Sequence, residues 1–235
     1  MSTYDSAPHK RGGTVRHSKQ DALSASDFER LVGGAQQLDG DDRVEALAAV
    51  CLLGRGGLRR GELAHLQADW IDWRREMLRV PEHEPCHNGR GGQGCGACRQ
   101  LAEQAVADAD GDADLAEHVA ECWTPKTPAA ARDIYLGWDA RTMVALEDLL
   151  ARHDGWPLSG QGVTRRVEWA AEAAAGIDAD AVYPHALRAT AATELAGRGL
   201  EAHGLLQYFG WAQLSTAQVY LSRSGANTAR QLDSL

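Results

Sequence analysis

The chain has 235 residues, with 24 Lys and Arg against 33 Asp and Glu, a formal net charge of −9. That length can make one large domain or two small ones around a proper core. No run of eighteen apolar residues occurs, which excludes a membrane-spanning helix, and no membrane partner is expected.

Residues 1–20 are polar and carry Lys10, Arg11, Arg16 and Lys19 without an apolar core, so they do not form a signal peptide. They read as a flexible basic arm, or equally as a tail without a role. Only Lys10, Lys19 and Lys126 are lysine; the other basic residues are arginine. Scarce lysine with abundant acid and alanine resembles the composition of salt-adapted microbes, and a salt-adapted archaeon is the expected source. An acidic surface keeps such a protein hydrated where molar salt screens repulsion.

Five cysteines without a signal peptide argue against a disulfide framework. Cys51 sits in the apolar run 48–53 and reads as core.

In chain order, Ser24 to Asp27 and Ser26 to Glu29 are overlapping capping-box candidates, which predict a helix to about Gln37. Asp41-Asp42 starts a second helix with an apolar stripe through Val44, Leu47, Val50 and Leu53. Glycines 54, 56 and 57 end it, and Gly57-Leu58-Arg59-Arg60-Gly61-Glu62-Leu63 follows. A glycine-rich break before a short helix projects Arg59 where backbone N–H groups also favour an anion. Glu62, one turn on, can orient that arginine; a plain surface Glu–Arg pair is the alternative.

Trp70–Trp73 and Met77–Val80 read as a hairpin, and Asp133–Leu136 as a third strand. Lys126, before that strand, is the only lysine after residue 20. Lysine can release a proton and arginine cannot, so its retention points to proton transfer, against a stray surface lysine. Residues 82–122 form an insertion with His83, Cys86, His87, Cys95-x-x-Cys98 and His118-x-x-x-Cys122. The spacing suits a closed tetrahedral zinc site of structural type, best met by Cys95, Cys98, His118 and Cys122. Cys86, His83 and His87 are alternates, and reduced thiols or a redox pair are the rival readings.

Asp139 caps an amphipathic helix through Leu150, and another runs from Ser159 to about Gly176. Gln161, Arg165 and Arg166 on the latter can face a nucleic-acid backbone, or solvent. Pro184 opens a helix that bears His185 and Arg188 on one face. Gly210-Trp211 follows the next helix, and Tyr220 lies on the last one, ending near residue 223. An imidazole, a guanidinium, an indole N–H and a phenol converging on one point suit a phosphate.

Arg59, Lys126, His185-x-x-Arg188, Trp211 and Tyr220, in this order and spacing, resemble the catalytic domain of the tyrosine recombinase (phage integrase) family. Gly57 to Leu63 matches its first arginine motif, with Arg60 at a variable position assigned to DNA contact. The resemblance covers residues 21–223, leaving 224–235 as a tail. It implies a mainly α fold with a small three-stranded antiparallel sheet. It implies site-specific DNA cleavage and rejoining, in integration or excision of a mobile element or virus, through a 3′-phosphotyrosyl intermediate. Tyr220 is then the nucleophile, Arg59, Arg188 and Trp211 hold the phosphate, and His185 and Lys126 move protons, with Glu62 in support. No cofactor is needed for that chemistry, because arginines supply the charge. Double-stranded DNA is the implied partner, with a homotetramer on two sites and a cytoplasmic, nucleoid location. Tryptophan at 211, where most members have histidine, departs from the pattern and removes a titratable group. The zinc-type insertion also lies outside it, as does the lack of a helical clamp domain before residue 21. A non-cleaving DNA-binding accessory protein and a type IB topoisomerase-like relaxing enzyme are the alternative functions.

Overall fold

The computed structural model describes residues 21–221 except 87, 89–93, 109–113, 121–122 and 126. The expected arm, the tail, and the candidates His87, Cys122 and Lys126 lie outside the described residues. Helix α1 (Ala25–Gln36) begins where the capping pattern predicts: the Ser24 hydroxyl accepts the Asp27 N–H at 3.1 Å. Helix α2 (Gly40–Gly54) is the centre of the molecule, packed by α1 and by α6 (Ala140–Leu150), α7 (Gly160–Ala173) and α8 (Pro184–Gly197). The single stripe expected on α2 is too narrow. Ala46, Ala48, Ala49, Cys51 and Leu52 are buried as well, because alanines let neighbours approach on every side. Burial pushes the Cys51 thiol up to about 12, so it stays an inert core group.

Strands β1 (Ile71–Asp72), β2 (Met77–Val80) and β3 (Arg132–Tyr135) form an antiparallel sheet in the order β1-β2-β3. Leu78 opposes Ile71 on one side and Ile134 on the other, so one face feeds the core. The inserted segment between β2 and β3 holds α4 (Gly96–Asp108) and α5 (Leu115–Ala120), which pack on each other. Short helix α3 (Arg60–Ala64) sits against α7.

The Asp139 carboxylate caps α6 by accepting the Thr142 N–H, and Pro184 takes the first turn of α8. Helices α9 (Ala202–Phe209) and α10 (Leu214–Leu221) pack together and build a second apolar cluster around Phe209, Leu205 and Tyr220. Gly210 ends α9 at φ 56°, and a Cβ there would meet the Ala129 carbonyl at 2.6 Å. Among the described residues, no helix is long and apolar enough to cross a membrane.

Candidate active site

The site is assembled around one buried carboxylate. Glu62, 2% exposed, lies on the first turn of α3 and accepts the Arg59 backbone N–H at 2.8 Å, which fixes the start of that helix. Its oxygens also accept from Arg59 Nη1 at 2.6 Å and from Arg132 at 3.0 and 3.1 Å, with Arg188 Nη1 at 3.9 Å. Burial alone would raise the Glu62 pKa, but Arg132, with Arg188 and Arg59 behind it, holds it down to about 2.

Three guanidiniums thus face one carboxylate, and positive charge is left over for an anion. Backbone carbonyls hold all three, Arg132 included. Arg188, buried on α8, donates to the Gly57 and Phe209 carbonyls, and its guanidinium lies 5.2 Å from the Phe209 ring centroid. Arg59 Nη2 donates to the Gly210 carbonyl at 2.8 Å. Gly57 adopts φ 66°, and a Cβ on it would meet Phe209 at 2.4 Å, so both conformation and space demand glycine there. Burial lowers the Arg188 pKa to about 9 against the pull of Glu62. It remains protonated at neutral pH, at a desolvation cost that a bound anion would offset.

An open cavity of about 1190 Å³ lies over this cluster. Arg59, Glu62, Arg188, His185 and Trp211 line it, joined by Arg60. His185, on the first turn of α8, is exposed. Tyr220 is placed differently. Its ring is 7% exposed, stacks on Trp211 with centroids 5.3 Å apart and planes 8° apart, and is not among the residues lining the cavity. Phe209 also stacks on Trp211, with centroids 4.8 Å apart, so Trp211 on the cavity wall is packed against both Phe209 and Tyr220.

Residues 135–226 match the model of the phage integrase family. The tyrosine recombinase XerD of Xanthomonas axonopodis pv. citri (strain 306) is 30% identical over 208 residues, covering 85% of this chain and 57% of that protein. Over that stretch the chain is similar to the phage integrase family.

The fold agrees with it. The Tn1549 transposon integrase bound to circular intermediate DNA aligns with a TM-score of 0.60 at 18% identity, over 91% of this chain and 66% of that one. The same integrase bound to transposon right end DNA gives 0.59 at 18% identity, over 89% and 64%. The chain therefore spans about 57% of XerD and about two-thirds of the integrase structures. The family match begins after Arg59 and covers His185, Arg188, Trp211 and Tyr220. Pro125 and Thr127, on either side of Lys126 in sequence, line the cavity.

Among the residues expected to meet DNA, Arg60, Gln161 and Arg165 are exposed. Arg166 is not available. It is 8% exposed, with Nε 2.7 Å from Glu45 and Nη2 2.8 Å from Asp42, and its guanidinium lies over Trp169. The reason is electrostatic: Glu45 is buried on central helix α2 and requires a charged partner. The rival phenol, Tyr208, is also tied up. Trp138 Nε1 donates to its hydroxyl at 3.0 Å, that hydroxyl faces the Arg55 and Tyr135 carbonyls, and burial raises its pKa to about 12.

The insertion needs a larger correction. Cys95 and Cys98 do come together, but with Cys86 and His65, all four buried and their ligand atoms within 4.8 Å of one another. His118 is elsewhere on α5, its Nδ1 3.1 Å from the Asp114 carbonyl. His83 is exposed and outside the cluster. His65 escaped the sequence reading because it lies outside the insertion, on the turn that ends α3. Arg132 escaped too. Its signal was available: an arginine two positions from Ile134 points to the buried face of its strand. Its Nε donates to the Tyr208 carbonyl at 2.7 Å and Nη1 to the Ala130 carbonyl at 2.6 Å, so it positions Glu62.

Proposed function

We propose that this chain cleaves and rejoins DNA at specific sites through a covalent 3′-phosphotyrosyl intermediate. The observation that carries the reading is the Glu62 cluster, in which Arg59 and Arg188 are held rigidly at the floor of an open cavity with positive charge in excess. Attack on a phosphodiester builds negative charge on the non-bridging oxygens, and preorganised guanidinium donors stabilise that charge without reorganising. Trp211, on the cavity wall, adds a neutral N–H donor where a histidine would also titrate.

The Tyr220 oxygen forms the new bond to phosphorus as the bond to the 5′ oxygen breaks. His185 takes or relays the phenol proton, and Lys126 returns one to the leaving oxygen. Because the phosphodiester is conserved as a phosphotyrosine, religation needs no nucleotide. Tyr220 leaves its stack on Trp211 to reach the phosphate, so DNA binding displaces α10 before chemistry. Arg60, Gln161 and Arg165 border the cavity or share the exposed face of α7 beside it, and contact the backbone of the duplex. The natural context is integration or excision of a mobile element, with protomers assembled as a tetramer on two DNA sites. The Cys/His cluster serves structure; the arginines supply the charge that a catalytic metal would.

Nicked duplexes tiled over the element's own ends test this in high salt. A short strand released at the nick traps the covalent species, which survives denaturing electrophoresis. The expected result is an adduct at a defined sequence with a free 5′-hydroxyl, absent in Tyr220→Phe. Specific binding with no adduct points to the accessory reading. Relaxation of any supercoiled plasmid points to the topoisomerase reading.

A further inference from the structure

We propose that His65, Cys86, Cys95 and Cys98 bind one zinc ion, and that this ion clamps the inserted segment onto the helix that positions Arg59. Tetrahedral zinc holds thiolate sulfur at about 2.3 Å and imidazole nitrogen at about 2.0–2.1 Å, which sets ligand atoms roughly 3.5–4 Å apart. His65 Nε2 is already 3.6 Å from Cys95 Sγ and 3.4 Å from Cys98 Sγ.

The imidazole is oriented for the task. Nδ1 lies 2.7 Å from the Gly61 carbonyl, which can only accept, so Nδ1 carries the proton and Nε2 turns its lone pair toward the sulfurs. Trp123 stacks on His65 with centroids 4.9 Å apart, and Trp70 stacks on Trp123 in turn, which locks the ring plane. Three sulfurs and one imidazole, all under 9% exposed, make a soft, closed donor set. With four protein ligands no position is left for substrate, so the ion is structural.

Its location gives it consequences. His65 follows α3, whose first turn presents Arg59 and Glu62, while Cys98 lies on α4 and lines the same cavity with Ala97 and Leu101. The Glu84 N–H donates to the Trp123 carbonyl at 3.0 Å, closing the neck of the insertion just before Thr124 and Pro125 on the cavity wall. One ion therefore joins the arginine helix, the α4 wall and the segment leading to Lys126. Binding of the ion is independent of the recombinase reading; only its effect on cleavage rests on that reading.

The test uses the full chain as purified. Elemental analysis is expected to find one zinc per chain, and Co²⁺ exchanged into the site to give thiolate-to-cobalt charge-transfer absorption and tetrahedral d–d bands. His65→Ala and Cys86→Ser lose the ion, whereas His118→Ala and Cys122→Ser retain it. Should the first two variants fail to fold, chelation of the wild-type chain followed by Co²⁺ titration reports a three-thiolate, one-imidazole set. An unchanged spectrum in His118→Ala and Cys122→Ser then assigns it to His65, Cys86, Cys95 and Cys98, whereas a changed one refutes that. A folded chain without metal, a disulfide among the three thiols, or loss of the ion in Cys122→Ser with retention in His65→Ala would overturn the proposal. Zinc bound in a chain that never forms a DNA adduct would uphold the metal site while refuting the recombinase reading.

Discussion

Replacing Glu62 by Gln keeps the shape of the buried side chain and removes its charge, which isolates what the carboxylate contributes. A carboxylate with a folded pKa of about 2 against an ordinary 4.5 stabilises the fold by about 3 kcal/mol at neutral pH, at 1.36 kcal/mol per pKa unit. A second route agrees: removing one partner of a buried ion pair costs about 3–5 kcal/mol, because the other charges stay buried without compensation. The partners do not share this equally. Glu62 is held ionised, whereas burial pulls Arg188 down to about 9. Arg132 and Arg59, at 2.6 to 3.1 Å, carry the attraction, and Arg188, at 3.9 Å, is carried at a cost. The folded pKa of Glu62 is depressed, so its stabilisation is complete above about pH 4.5 and fades as pH falls toward 2. Urea unfolding at pH 7 should show a loss of about 3–4 kcal/mol in Glu62→Gln with an unchanged slope, and the gap to wild type should narrow below pH 4.5. A loss under about 1 kcal/mol, the range of a surface ion pair, would refute the view of Glu62 as the hub of the site.

Arg166→Ala should destabilise the chain by about 3 kcal/mol, since buried Glu45 loses its arginine and keeps only His153 Nε2 at 3.5 Å, yet leave DNA affinity unchanged once the protein is folded. Arg165→Ala should do the opposite, lowering affinity for all sequences and reducing the salt dependence of binding by about one unit of slope while melting is unaffected. Tyr208→Phe should lose about 1 kcal/mol in thermal or urea unfolding, because the half-buried Trp138 N–H loses its acceptor, and still form the covalent DNA adduct.

Much of the framework was legible because local chemistry agreed with global packing. Ser24, Asp139, Pro184 and Gly210 mark element ends by capping, missing N–H or positive φ, and each does so here. The hairpin and third strand followed from short apolar runs, and the sheet forms in that order. What failed was partnership across long sequence distances. Arg166 pairs with Glu45, 121 positions away, and no periodicity on α7 reveals a buried carboxylate on α2. His65 lies 33 positions from Cys98, on a different element, so a search for ligands confined to the cysteine-rich segment chose His118 instead. Arg132 was overlooked because a charged residue at a strand edge reads as solvent-facing until the carboxylate it meets is known. Burial of Tyr220 behind Trp211 was equally invisible, since spacing brings residues to one end of the molecule without saying which ring covers which.

In the proposed reaction Tyr220 becomes covalently joined to DNA. Mass spectrometry of the adduct trapped on a nicked duplex, after nuclease and protease digestion, measures that directly. The expected result is a nucleotide-derived phosphate on the peptide containing Tyr220. Modification of the peptide carrying Tyr208 or Tyr183 instead, or an adduct that persists in Tyr220→Phe, would contradict it.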